Sequence, residues 1–307
     1  MEHLEAAILR TILYGDIFHF PMTPEEIHHF LIHDEQTTRQ QIQHTLVNSQ
    51  YLNELLICGE GYFALSTRQE IIPIRIQREQ ATKKLWLPAI TYGQWLARLP
   101  FVRMVTLTGA LAMRNAHEND DFDYLIVTKA QRVWLARGFA IALVYLGKLR
   151  GITICPNYVL SEDSLEQQRK DLYIAHEITQ MVPIYGHELY WDMRQANLWT
   201  IDSLPNAETP LYKAHPTVKG VWAFAKRTIE WVLSGKLGDS LEKWERNRKL
   251  KRFEKALDTP NAAAQLDASQ VKGHFNDYGH PVLRQYAQRL EQYDLSPNHN
   301  RQVVSGD

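Results

Sequence analysis

Several things are scarce in this chain, and each scarcity excludes something. There are two cysteines in 307 residues, Cys58 and Cys155, far apart in sequence. That rules against a disulfide framework and a Cys-rich metal pattern, and points to a reducing compartment. Charge is almost balanced, with 34 Lys and Arg against 35 Asp and Glu and a formal net charge of −1. No global pull towards polyanions follows, so nucleic-acid binding would rest on local patches. Long apolar runs are missing too: the longest, residues 133–149, is interrupted by Arg137 and reads as a buried helix rather than a bilayer span. The opening MEHLEAAILR is acidic and amphipathic, unlike the basic and then apolar build of a secretory signal. The run Ala175-His176-Glu177 has Gln180 where a zinc-protease helix needs its second histidine. A cytoplasmic protein with no membrane partner is the expectation.

At 45% hydrophobic and 22% charged, the chain has material for two or three domains. Its most informative stretch is residues 107–128, LTGALAMRNAHENDDFDYLIVT. An apolar run meets a glycine turn at Gly109, a short helix start and a polar loop follow, and Asp121-Phe122-Asp123 then enters a second apolar run. On a strand, Asp121 and Asp123 project from the same face. Two carboxylates so close repel unless a cation lies between them, and hard divalent ions favour such oxygens. A tight turn at Gly109 brings backbone N–H groups towards a phosphate. Phosphate cradle and acid pair together suit metal-assisted phosphoryl or nucleotidyl transfer. Taken singly, each half is also ordinary turn chemistry or a solvated acidic loop.

The pattern resembles the signature of the DNA polymerase beta-like nucleotidyltransferase superfamily. The matching residues are Leu107-Thr108-Gly109-Ala110, the polar loop with Asn115, and Asp121-Phe122-Asp123-Tyr124, within a region of roughly 102–160. Ala110 stands where the family usually has serine. The resemblance implies a small mixed-sheet core, Mg²⁺ or Mn²⁺ on Asp121 and Asp123, and a nucleoside triphosphate on Thr108, Gly109 and Ala110. Arg114, or a lysine of the C-terminal helix, would neutralise the triphosphate. The acceptor would be a nucleic acid, a protein hydroxyl or a small molecule. A third carboxylate is also implied on a later strand. The strand expected at 153–160 holds none, and Asn157 is its best polar candidate, able to ligate through a carbonyl but not to take a proton. Glu162 and Asp163 follow that strand and read more readily as acids at a helix start.

The rest of the chain divides around this core. Residues 1–70 read as three helices and a hairpin, a winged-helix-like module whose third helix offers Arg39, Gln40, Gln41, Gln43 and His44. Its acids argue for a packing or protein contact over DNA binding. Residues 71–100 read as a linking helix that Pro88 kinks or divides, 101–206 as the core, 207–297 as a C-terminal helical region and 298–307 as a flexible tail. After the third core strand, residues 161–206 read as helical. Val221, Phe224, Ala225, Ile229, Val232 and Leu233 form an apolar helix face, and Lys243, Arg246, Arg248, Lys249, Lys251, Arg252 and Lys255 concentrate positive charge, with Trp244 and Phe253 among them. Among His19, His28, His29 and His33, the last two stand one helical turn apart, a spacing open to metal but lacking a cysteine or carboxylate partner.

The fold class expected is therefore α/β (α+β), with C-terminal helices. Two functions from different classes stand. One is a metal-dependent nucleotidyltransferase. The other is a catalytically degenerate relative that binds a nucleotide, nucleic acid or protein partner. A DNA-binding regulator with a ligand-sensing second domain is a third.

Overall fold

Local sequence signals start the first helices. Apolar residues at helical spacing bury Ile8, Ile12 and Leu13 on α1 (His3–Asp16). Thr23 opens α2 (Pro24–His29) with a reciprocal capping box: its hydroxyl accepts from the Glu26 amide, while the Glu26 carboxylate accepts from the Thr23 amide. Thr38 and Gln41 repeat the device at α3 (Arg39–Asn48), and Ser49 caps α4 (Gln50–Leu55). Strands β1 (Leu56–Gly59) and β2 (Tyr62–Leu65) pair antiparallel across Glu60 and Gly61, whose φ values of 52° and 81° fit a two-residue hairpin turn.

These elements do not close a core of their own. Ile8, Leu13, Ile27 and Leu46 pack in one cluster with Ala175, Leu204, Tyr286 and Leu290 from the other half of the chain. The computed structural model describes residues 3–149, 151–214, 221–257, 267, 269–272 and 278–296. The tail expected at 298–307 lies outside the described residues, as do the side chains of Arg252, Phe253 and Lys255.

Helix α5 (Ile71–Ala97) runs unbroken through Pro88. It leads into a mixed five-stranded sheet of β3 (Val102–Leu107), β4 (Phe122–Thr128), β5 (Ile154–Ser161), β6 (Val182–Tyr185) and β7 (Gln270–Lys272), in the order β6-β3-β4-β5-β7. Among the described residues only β4 and β5 pair in parallel, and the crossover that a parallel pair requires is α7 (Val133–Lys148). Alternation along β4 sends Phe122, Tyr124 and Ile126 into a core with α5 and α7. Leu125 and Val127 point the other way, towards Ile174 and Ile178 of α8 (Leu172–Thr179) and Tyr190 of α9 (His187–Ala196). Asp123 shares this second face.

Two expectations are corrected. The stretch read as wholly helical contains the edge strand β6, paired antiparallel with β3. Pro183 sits within it, which an edge strand tolerates. The apolar face of α10 (Val221–Val232) is not its packed face: Val221, Phe224 and Val232 are 82%, 74% and 52% exposed. The helix docks through polar groups instead. Buried Lys226 donates to the carbonyls of Ala97 (2.8 Å) and Val102 (2.6 Å). Glu230 accepts from the Phe101 amide at 2.6 Å and pairs with both terminal nitrogens of Arg103. The junction of α5 and β3 leaves these backbone groups to be satisfied, and α10 supplies the partners. Next comes α11 (Lys236–Leu257), whose Glu242 caps α7 by accepting from the amides of Trp134 and Leu135 at 2.9 and 2.7 Å.

The Arg75 guanidinium ties the two halves together. It donates to Glu26 Oε1 at 2.5 Å and to the carbonyls of Met113 and Arg114 at 3.2 and 2.7 Å, with both charged side chains almost fully buried. Removing one partner strands a buried charge. Glu26→Ala is expected to lower unfolding free energy by about 3–5 kcal/mol in urea titration. Arg39→Ala, which breaks the exposed Arg39–Glu25 pair, is expected to change it by less than about 1 kcal/mol.

Candidate functional site

The β3–β4 pairing carries on past its last strand pair, as the Thr108 amide donates to the Asp123 carbonyl at 3.0 Å. The chain then turns at Gly109 with φ +68° into the single helical turn α6 (Gly109–Ala112). A Cβ at Gly109 would lie 2.6 Å from Asp123 Oδ2. Glycine is thus required twice, by backbone conformation and by the carboxylate against it. Ala110 is exposed beside the turn.

On the other flank, β4 and β5 are in register at Asp123↔Cys155 and Tyr124↔Pro156, then shift so that Leu125 faces Tyr158. Asn157 is the extra residue of this bulge, a device that re-aims a side chain. Its Nδ2 donates to Asp123 Oδ1 at 2.6 Å, while the Cys155 thiol donates to Asn157 Oδ1 at 3.0 Å. In this orientation Asn157 holds Asp123 through its amide nitrogen, and its carbonyl faces the Cys155 thiol.

Ligand atoms of Asp121, Asp123 and Cys155 all lie within 4.8 Å of one another. Burial, then the charges of Asp121 and Glu177, push the Asp123 carboxyl up to about 8. Burial, then the charges of Asp123 and Asp121, push the Cys155 thiol up to about 12. Such a site gathers more negative charge than it neutralises. Two carboxylates at this separation fit a hard divalent cation, whereas a thiol held protonated does not add a ligand for one.

Two cavities meet here. One, of about 350 Å³, lies between the N-terminal helices and the sheet. The other, of about 240 Å³, reaches Asp123, Asn157 and Arg169. Gly109, Tyr173 and Glu177 line both.

Thr108, Gly109, Asp121, Asp123 and Asn157 therefore converge, with Ala110 at the rim. Arg114 is placed differently. Its guanidinium lies 4.0 Å from the centroid of the Tyr212 ring, and it lines neither cavity. No described basic residue of α11 lines them either; Arg78 and Arg169 do. Glu162 accepts from the Ala130 amide at the Thr128 end of β4, about 16 Å from Asp123 at a strand's rise per residue. His176 is buried and stacks on Tyr14 with ring centroids 4.1 Å apart. His33 meets His3 at 3.1 Å and Asp34 at 2.9 Å rather than His29. Cys155 is the member of the cluster that sequence reasoning passed over, although its spacing of two from Asn157 on one strand was a usable signal.

No protein-family model, curated protein or solved structure matches the chain.

Two outcomes follow for the isolated protein. Gly61 also has positive φ (+81°), but a Cβ there would meet nothing within 4 Å, so it separates backbone strain from crowding. Gly61→Ala is expected to cost about 1–2 kcal/mol in urea unfolding, and Gly109→Ala clearly more. The second outcome concerns pH. Folded Asp123 holds its proton up to about 8, against an ordinary value of 3.8, so the folded state binds the extra proton between those limits. Stability without metal is therefore expected to fall as pH rises from about 4 to about 8, and Asp123→Asn to remove that part of the decline in urea midpoints measured against pH.

Proposed function

We propose that the chain is a metal-dependent nucleotidyltransferase that moves a nucleoside monophosphate from a nucleoside triphosphate to an acceptor. On this reading, residues 101–206 are a nucleotidyltransferase core and residues 1–70 a winged-helix-like module. The observation that carries it is the Asp121–Asp123 pair with a glycine turn pressed against the inner carboxylate. The resemblance of residues 107–124 to the superfamily signature supports it independently of the geometry.

Asp121 and Asp123 would hold Mg²⁺ or Mn²⁺, which when bound supplies Lewis-acid stabilisation of the phosphate charge. The backbone at Gly109 and Ala110 would offer N–H groups to the phosphates, the Thr108 amide being engaged by the Asp123 carbonyl, with no hydroxyl from Ala110 to assist. Asn157 and the neighbouring Gly109 fix the rotamer of Asp123. An acceptor oxygen attacks the α-phosphorus, the bond to the leaving pyrophosphate breaks, and the acceptor's proton passes to a carboxylate. Glu177 lines both cavities and acts electrostatically on Asp123, which suits it to that last task.

A second reading rests on Asn157 and Ala110. With an amide at the strand position implied to carry an acid, and no hydroxyl on the turn, the same cleft would bind a nucleotide without turnover.

The test is transfer of label from each α-phosphate-labelled nucleoside triphosphate, with Mg²⁺ or Mn²⁺, to mixed cellular RNA and protein. The nucleotidyltransferase reading expects transfer that drops at least about a hundredfold in Asp121→Asn/Asp123→Asn. Transfer unchanged in the double variant contradicts it. Nucleotide bound by the wild type with no transfer to any acceptor selects the second reading.

A further inference from the structure

The larger cavity is built for more than an apolar filler. Its walls include Tyr14 of α1 and Phe18, Phe20 and Phe30 from the turns that follow α1 and α2, and its floor reaches Gly109 and Ala110. Three side-chain atoms of its lining residues are buried with no hydrogen-bond partner: His176 Nε2, Asn115 Oδ1 and Arg78 Nε. His176 and Asn115 are only 6% and 8% exposed. A buried polar atom left unpaired is costly, so a small side-chain shift that brings one of them to a bound ligand would be repaid.

The cavity rim is fixed in place. The Phe18 carbonyl accepts from Arg78 at 3.0 Å and from Asn115 Nδ2 at 3.2 Å. The amide of Asn115 is thereby oriented, leaving Oδ1 as an acceptor. Burial and the nearby His29 lower the His176 imidazole to about 3, so it is neutral and able to donate or accept according to tautomer. Flat rings on the walls, an unpaired amide oxygen and a neutral imidazole close behind them, and the Gly109 turn at one end describe a complementary shape. It is a planar heteroaromatic ring carrying an N–H and joined to a phosphate.

We propose that this cavity binds the nucleobase of the donor nucleotide, so that α1 and the turns after α1 and α2 form a wall of the site and select the base. This rests on the nucleotidyltransferase-type reading of the Gly109 turn. The volume of about 350 Å³ suits one nucleoside, within the usual range for small-ligand pockets. The smaller cavity, with Asp123, Asn157 and Arg169, is left to the acceptor.

Methionine methyl NMR on the whole protein distinguishes the cavities, because Met22 and Met113 line the larger and Met181 and Met193 the smaller. Adenosine, guanosine, cytidine and uridine are titrated separately, and Mg²⁺-tripolyphosphate is titrated as an independent arm. The proposal expects at least one nucleoside to shift Met22 and Met113 saturably while Met181 and Met193 stay still. The matching nucleoside triphosphate should displace it. Phe18→Ala, at a residue 39% exposed, should weaken nucleoside binding about tenfold and leave tripolyphosphate binding unchanged. His176→Gln should alter which nucleoside binds best. Shifts confined to Met181 and Met193, no shift with any nucleoside, or simultaneous binding of nucleoside and triphosphate would overturn the assignment. Tripolyphosphate binding that is lost in Asp123→Asn tests the phosphate reading on its own, so the two can fail separately.

Discussion

A glycine pressed against a buried carboxylate is the constraint around which this molecule is arranged. Gly109 and Asp123 can approach only because the turn has positive φ and no side chain. The pair is held from three directions: by the Thr108–Asp123 backbone bond, by the β4–β5 register and by the bulge that aims Asn157 at Asp123. The cost is a carboxyl crowded by Asp121 and deprived of water. A site that accepts such a cost is poised to gain from a bound cation, because one ion relieves both the repulsion and the lost solvation.

Around that constraint, the chain uses buried polar links where a simpler protein would use apolar contact. Arg75 joins Glu26 to the loop after α6, and the Tyr212 hydroxyl donates to the same glutamate at 2.8 Å. Lys226 and Glu230 bind α10 to the junction of α5 and β3. Each is strong only if complete, so the N-terminal helices, the sheet and α10 are joined in defined registers. That rigidity gives the larger cavity a fixed shape, since its walls come from elements more than a hundred residues apart.

Local chemistry made much of this legible in the sequence. Thr23 and Thr38 announce helix starts because capping involves residues three apart, and the β1–β2 turn and the Asp121-Phe122-Asp123 strand obey equally short-range rules. What was hidden depends on distant partners. Strand β6 has four residues and a proline, too few to show a period, and exists because β3 offers an edge. The packed face of α10 was misread because hydrophobicity marks one side, while unsatisfied groups at Ala97, Phe101 and Val102 select the other. Arg114 follows the glycine turn closely in sequence, yet its φ of +54° accompanies a path that stacks its guanidinium on Tyr212. Cys155 looked like a lone thiol until the parallel register set it opposite Asp123.

The central claim is that Asp121 and Asp123 share a divalent cation in place of a proton. Calorimetric titration of Mn²⁺ into the wild type and Asp123→Asn, at about pH 6 and about pH 8, tests it most directly. The account predicts wild-type affinity that rises roughly tenfold or more across that interval as Asp123 gives up its proton, and affinity in the variant that is weak and flat with pH. Equal Mn²⁺ affinity in the two proteins at both pH values would contradict it.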